Sequence, residues 1–235
     1  MVSIWGKVSG LGAGFLVGGP IGALVGAVAG HFIFDREADP GIVFTIAIIA
    51  LAGKMARADG SVSDAELQAF TRVFQVPPQE EAHVRRIFNL ARQDVAGYEA
   101  YAGQIARLFV GRPDLLEDVL DGLFEIAKAD GVLHPGEAYF LERVGEIFGF
   151  APNEFRRIRA SHFAPEFTDP YVILGVSYTA GDEEIRQTYR RLVRENHPDS
   201  LIARGVPEEF IKLANDKLAA INGAYEKIQS ERGLK

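Results

Sequence analysis

Residues 182–199 read Asp182-Glu183-Glu184-Ile185-Arg186-Gln187-Thr188-Tyr189-Arg190-Arg191-Leu192-Val193-Arg194-Glu195-Asn196-His197-Pro198-Asp199. Ile185, Tyr189 and Leu192 recur at i, i+4 and i+7, and Arg186, Arg190 and Arg194 at i, i+4 and i+8. A helix over 182–195 therefore carries a core-facing stripe beside a cationic one. A second helix is expected from about Pro207 to Glu231, where Leu218, Ile221, Tyr225 and Ile228 form the complementary apolar stripe. His197-Pro198-Asp199 then sits in the loop that joins two antiparallel helices. Taken alone, the arginines would read as a solvated helix face and the tripeptide as an ordinary turn.

Upstream, residues 41–163 also read as helix, punctuated by Gly and Pro. Ile42–Leu51 is an apolar run too short to span a membrane, which predicts a buried core helix. Further helices are expected at about 78–93, 98–110, 113–129, 135–148 and 152–161, with Pro78, Pro113, Pro135 and Pro152 near their starts, where a missing N–H costs little. The region repeats once: Ala56-Arg57-Ala58-Asp59-Gly60-Ser61-Val62 matches Ala127-Lys128-Ala129-Asp130-Gly131-Val132-Leu133, and Glu66 matches Glu137 at the same offset of 71 residues. Each copy ends a helix, turns at Asp-Gly and begins another helix with an acidic residue. Ser63-Asp64-Ala65-Glu66 has the form of a capping box. Asp59, Asp64 and Glu66, or Asp130 and Glu137, could gather carboxylates around a divalent cation. The spacing is not that of an EF-hand loop, and turn formation with helix capping accounts for these residues without metal.

At the amino end, the 27 residues from Val8 to Phe34 contain no Asp, Glu, Lys or Arg. A helix of that length exceeds the roughly 20 residues that a bilayer core requires. Trp5 and Lys7 precede the run and Asp35-Arg36-Glu37 follow it, so polar anchors flank a single-pass span. The competing reading is a cleaved signal peptide ending near Ala27-Val28-Ala29, but the apolar run continues past that point. Gly6, Gly10, Gly14, Gly18, Gly22, Gly26 and Gly30 recur at every fourth residue. Small residues at this spacing allow helix backbones to approach closely in lipid, which predicts self-association of the anchor. Lys7 and the terminal amine on one side balance Arg36, Lys54 and Arg57 on the other, so charge does not set the orientation.

Composition removes several function classes. With 235 residues, 48% hydrophobic and 24% charged, the chain has the make-up of a folded protein of one large or two small domains. A net charge of -7, from 32 acids against 25 bases, argues against a nucleic-acid binder. The lack of cysteine excludes disulfides, thiolate metal sites and a cysteine nucleophile. No GxxxxGK[ST], HExxH or GxSxG motif occurs, and His31, His83, His134, His162 and His197 form no recognisable catalytic spacing, so the chain is not expected to be an enzyme.

Residues 168–235 resemble the J domain of DnaJ-type cochaperones through Glu184-Ile185-Arg186, Tyr189-Arg190-Arg191-Leu192, His197-Pro198-Asp199, Ile221-Asn222 and Ala224-Tyr225. Residues 41–150, with their repeated Asp-Gly turns, resemble the TerB-like, or tellurite-resistance, helical domain. The order of anchor (1–40), TerB-like domain (41–150), linker helix (151–167) and J domain (168–235) is similar to that of DjlA-like membrane-anchored cochaperones. The resemblance implies an all-α protein without a cofactor, held by one span in a bacterial inner membrane with its J domain in the cytoplasm. Its implied partners are membrane lipid and a DnaK-type ATPase whose hydrolysis it stimulates, to which the glycine spacing adds further copies of the chain. Arg186, Arg190, Arg191 and Arg194 would steer it onto an acidic face of that partner. Asp199 would meet a cationic group near the hydrolysis machinery, with His197 and Pro198 holding the loop in shape. Ser200 stands where a basic residue is usual, Glu195-Asn196 replace basic and aromatic residues, and Asp169-Pro170 leave Tyr171 in the aromatic slot. No fourth helix is expected after Lys235. The alternative is a membrane scaffold or stress sensor assembled through the glycine-striped helix and the TerB-like domain.

Overall fold

The computed structural model describes residues 40–56, 67–68, 70–71, 74, 76–91, 97–128, 132–162, 169–207 and 210–233. The stretch from Gly6 to Phe34, together with Asp59, Asp64, Glu66 and Asp130, lies outside them. Among the described residues all regular structure is helical, as expected. In chain order the helices are α1 (Pro40–Met55), α2 (Glu81–Ala91), α3 (Tyr98–Leu108), α4 (Pro113–Ala127), α5 (Pro135–Ile147), α6 (Pro152–Ala160), α7 (Pro170–Leu174), α8 (Asp182–Glu195), α9 (Pro198–Ala203) and α10 (Ile211–Arg232). Proline opens α4, α5, α6, α7 and α9, where its fixed φ suits the first turn and its absent N–H has no partner to lose. Pro78 does not open its helix: a turn closes from the Glu80 N–H to the Pro77 carbonyl at 2.8 Å, and α2 begins at Glu81.

Helix α1 is apolar all round, and such a helix is stable in water only when surrounded. Phe44 and every residue from Ile46 to Ala52 are buried, while the Thr45 hydroxyl donates to the Gly41 carbonyl at 2.7 Å and so enters the core satisfied. Around it lie Phe70, Phe74, Phe88, Phe124 and Phe140, each fully buried and each contributing about 1.5–3 kcal/mol by leaving water. Helix α6, at the position of the expected linker helix, is packed rather than free. Ile158 is wholly buried in this core and Phe155 leans on Phe124 with ring centres 5.9 Å apart. The closeness of α5 to α6 rests on Gly145, where a Cβ would come within 2.6 Å of the Phe155 ring.

A smaller core gathers Ile173, Leu174, Ile185, Leu192, Ile221, Ala224 and Ile228 from α7, α8 and α10. Tyr189 and Tyr225 stack across the hairpin with centroids 3.9 Å apart, and the Tyr189 hydroxyl donates to Asn222 at 3.0 Å. Arg232 closes the carboxyl end by donating to the Tyr171 hydroxyl and to the Ala180 and Tyr178 carbonyls. The second hairpin helix forms close to its expected bounds as α10, and the loop before it carries a short helix that was not expected: the chain forms α9 directly after His197, turns at Gly205 with φ 92°, and enters α10 at Ile211. This path lets Leu201, Val206, Phe210 and Ala214 join the larger core. The Phe210 ring sits 4.6 Å from Phe74 and edge-on to Phe44 at 5.2 Å. The hairpin is therefore docked on the helical domain before it.

Candidate functional site

The exposed arginine stripe of α8 and the start of α9 form one surface, with a groove of about 480 Å³ lined by Tyr189, Arg190, Val193, Arg194, His197, Asp199 and Ser200. His197 is the N-cap of α9: its Nδ1 accepts the Asp199 N–H at 3.2 Å, satisfying one of the helix's free amides. Pro198 fills the first helical position, and Asp199 projects into solvent with 86% of its side chain exposed. The tripeptide is thus a compact helix start that uses its histidine and proline locally, and its exposed carboxylate meets only the His197 ring, 3.6 Å away.

Beside it, Arg190 is 65% exposed and pairs with Glu183 at 3.0 Å, Arg186 lies 3.8 Å from the same carboxylate, and Arg191 pairs with Glu195 at 2.8 Å. Solvent-exposed pairs of this kind are worth about 0–1 kcal/mol and exchange readily for another anion. The structure brings Arg186, Arg190, Arg194, His197, Pro198 and Asp199 to one face, with Arg191 on the neighbouring side of the same helix.

The residues that depart from the J-domain pattern have local work. Ser200 donates to the Arg194 carbonyl at 2.7 Å, closing the loop, and the buried Asn196 amide donates to the Leu192 carbonyl at 2.8 Å, capping the end of α8. Asp169 accepts the Tyr171 N–H at 2.9 Å and caps α7. Glu137 reaches back to the His134 N–H at 3.0 Å, the role that the repeat suggests for its counterpart Glu66. Among the described residues no group of His, Asp and Glu could hold a metal ion.

Sequence reasoning missed an acidic row on α4. Asp114, Glu117, Asp118, Asp121 and Glu125 follow each other along one side of the helix and meet cations from four later segments. Arg204, at the end of α9, donates to both oxygens of Asp118 at 3.2 and 3.1 Å. Lys217 of α10, 4% exposed, donates to Glu117 and, at 2.6 Å, to Asp121. Arg157 of α6 holds the second oxygen of Glu117, and His162 lies between Asp121 at 2.7 Å and Glu125 at 2.9 Å. Lys128 pairs with Glu125 from the end of α4 itself.

Burial alone would raise the carboxylates of this row, and the balance differs from one to the next. Lys217 and Arg157 outweigh burial at Glu117, and Lys217 with His162 outweighs it at Asp121, holding both well below the usual range. At Asp118 burial wins over Arg204 and Lys217, with the neighbouring charges of Asp121 and Glu117 adding to it, and pushes the carboxyl up to about 7. Burial works against a charged His162, but hydrogen bonds to Asp121 and Glu125 overcome it and raise its value.

Comparison with known proteins gives three consecutive family matches: the co-chaperone DjlA transmembrane domain over residues 1–57, tellurite resistance protein TerB over 45–160, and the DnaJ domain over 169–232. The chain is 30% identical over 265 residues to the co-chaperone protein DjlA of Coxiella burnetii, covering 97% of this chain and 98% of that one. The chain belongs to the DjlA co-chaperone family. The DjlA of Photobacterium profundum is 27% identical over 278 residues, covering 99% of this chain and 100% of the relative, and that of Escherichia coli K12 is 24% identical over 268 residues, covering 98% and 99%. No solved structure matches the chain. As in DjlA proteins, a transmembrane region precedes the two helical domains, so this is a membrane-anchored J-domain protein. Its matched transmembrane region contains the glycine stripe, and among the described residues no helix is long and apolar enough to cross a membrane.

Proposed function

We propose that this DjlA-family protein docks a DnaK-type chaperone on the arginine face of α8 and stimulates its ATP hydrolysis through Asp199. The observation that carries the reading is the juxtaposition of that cationic face with a tripeptide whose carboxylate is 86% exposed to solvent. Arginines on an open surface raise the rate of encounter with an acidic partner, and a carboxylate delivered alongside them can bind a cation that distinguishes the partner's hydrolytic state. ATP and its chaperones place the J domain in the bacterial cytoplasm, with the first few residues across the inner membrane. The glycine stripe associates copies of the anchor within the membrane. The protein itself carries out no catalysis: it acts on another protein's nucleotide cycle.

The test is a steady-state ATPase assay with a DnaK-type chaperone and the full chain in lipid nanodiscs. Asp199→Asn and His197→Gln should abolish stimulation. For Asp199→Asn the melting temperature should hardly move, since so exposed a side chain changes stability by less than about 0.5 kcal/mol. Full stimulation by both variants would refute the mechanism.

A further inference from the structure

Resting on that functional reading, we propose that the TerB-like domain places the chaperone-activating loop, with Asp118 of α4 acting through Arg204 as a pair of positioning residues. The Arg204 guanidinium spans two structural units. One terminal nitrogen donates to both oxygens of Asp118, at 3.2 and 3.1 Å, and the other donates at 2.9 Å to the carbonyl of Glu195, the last residue of α8 and two residues before His197. The Nε faces Asp114 at 3.5 Å. A carbonyl at a helix C-terminus has no partner within its helix and carries the negative end of the dipole, so it attracts a cation. The guanidinium fork meets it and Asp118 together, which a single ammonium group cannot do in the same geometry.

The hydrogen bonds that His197 and Ser200 make are internal to the loop: His197 to the Asp199 amide and Ser200 to the Arg194 carbonyl. They shape the tripeptide but do not aim it. What ties this segment to the middle domain is the Arg204 bridge, the reciprocal contact from Arg112 to the Arg204 carbonyl at 3.3 Å, and the burial of Leu201 and Phe210 in the larger core. Asn196, next to His197, lines a cavity of about 10 Å³ together with Asp118 and Lys217, so the end of α8 is pressed against the acidic row. His197 and Asp199 remain 52% and 86% exposed in this docked arrangement. The middle domain therefore supports the loop from behind while leaving its working side open.

The experiment titrates the full chain in nanodiscs against a DnaK-type ATPase and reads maximal stimulation separately from the half-saturating concentration. Arg204→Lys keeps a cation opposite Asp118 but loses the fork. Maximal stimulation should fall about tenfold or more, as for the loss of one charge-assisted hydrogen bond. The half-saturating concentration should change by less than about twofold, because the steering arginines of α8 are untouched. Asp118→Asn should give a similar loss, and the double variant no further one. Wild-type stimulation by Arg204→Lys, or additive losses in the double variant, would overturn the proposal. So would a general loss of amide protection across α8 and α10 in Arg204→Lys, which would make the bridge a determinant of folding rather than of placement. Failure of the parent chain to stimulate would instead count against the functional reading.

Discussion

Replacing Lys217 by Met isolates the electrostatic part of the docking between the J domain and α4, because Met keeps the length and apolar bulk of the side chain and removes only its charge. In the parent, Nζ bonds one oxygen of Glu117 and one of Asp121, while the second oxygens are held by Arg157 and His162. The substitution leaves two carboxylate oxygens in a region where Lys217 is 4% and Asp121 5% exposed. Breaking a buried pair by removing one partner costs about 3–5 kcal/mol. Here each carboxylate retains a second cation, so the lower end, about 3 kcal/mol, applies. For a protein of this size about 1 kcal/mol moves the melting temperature by roughly 2–4 °C, giving an expected drop of about 6–12 °C in far-ultraviolet circular dichroism melts of the full chain in detergent micelles. Raising salt should leave the difference intact, since buried charges are poorly screened. Adding Asp121→Asn to the Met variant removes one stranded charge while Arg157 keeps Glu117 and His162 keeps Glu125, and should recover part of the loss. A drop below about 2 °C, or a double variant no better than the single one, would show that the ionic row is not a determinant of docking.

Acidity should tune the same cluster. His162 is raised above its ordinary 6.5, so its contribution is complete below that value and is lost as pH rises through its folded value. Asp118, raised from 3.8 to about 7, has the same sign, since the folded state holds a proton that the unfolded chain gives up from about pH 4 upward. Glu117, Asp121 and Glu125 are lowered and oppose this, withdrawing their contribution only on strong acidification. Melting temperature should therefore decline from pH 6 to above neutrality, and His162→Gln should flatten that decline; an unchanged slope would exclude the histidine as its source. In the membrane, Gly18→Leu with Gly22→Leu should abolish crosslinking between anchors while preserving insertion. Crosslinking equal to the parent's would show that any oligomer is held elsewhere in the chain.

The hairpin and its tripeptide were legible because their signals are local. The spacing of Ile185, Tyr189 and Leu192 fixes a helix face without reference to the rest of the chain, and prolines 113, 135 and 152 mark helix starts by covalent geometry alone. The acidic row was not legible in the same way. Asp118 and Arg204 are 86 residues apart and Asp121 and Lys217 are 96 apart, and a charged residue in isolation reads as solvated until the surface that covers it is known. A partial signal was available. Ala214, Lys217 and Ile221 stand at i, i+3 and i+7, which puts the lysine on a line with apolar residues. Asp118 and Asp121 are likewise interleaved with Leu115, Val119 and Leu123 on α4. Helix α9 escaped for another reason: its six residues are too few to show a helical period, and the left-handed turn at Gly205 ends it before α10 begins.

The docking of Phe210, Arg204 and Lys217 bears on how such a protein can be recombined. A foreign J domain spliced in at Asp169 would supply the hairpin and its tripeptide, and by those criteria would look like an equivalent cassette. Without counterparts of these three residues it would take Arg204 from Asp118 and Lys217 from Asp121 and leave Phe44 and Phe74 facing a gap, so the recipient rather than the graft would bear the damage. A working chimera has to carry the whole stretch from His197 to Lys217, making the unit of exchange a loop with its mating surface and not a domain defined by its own core.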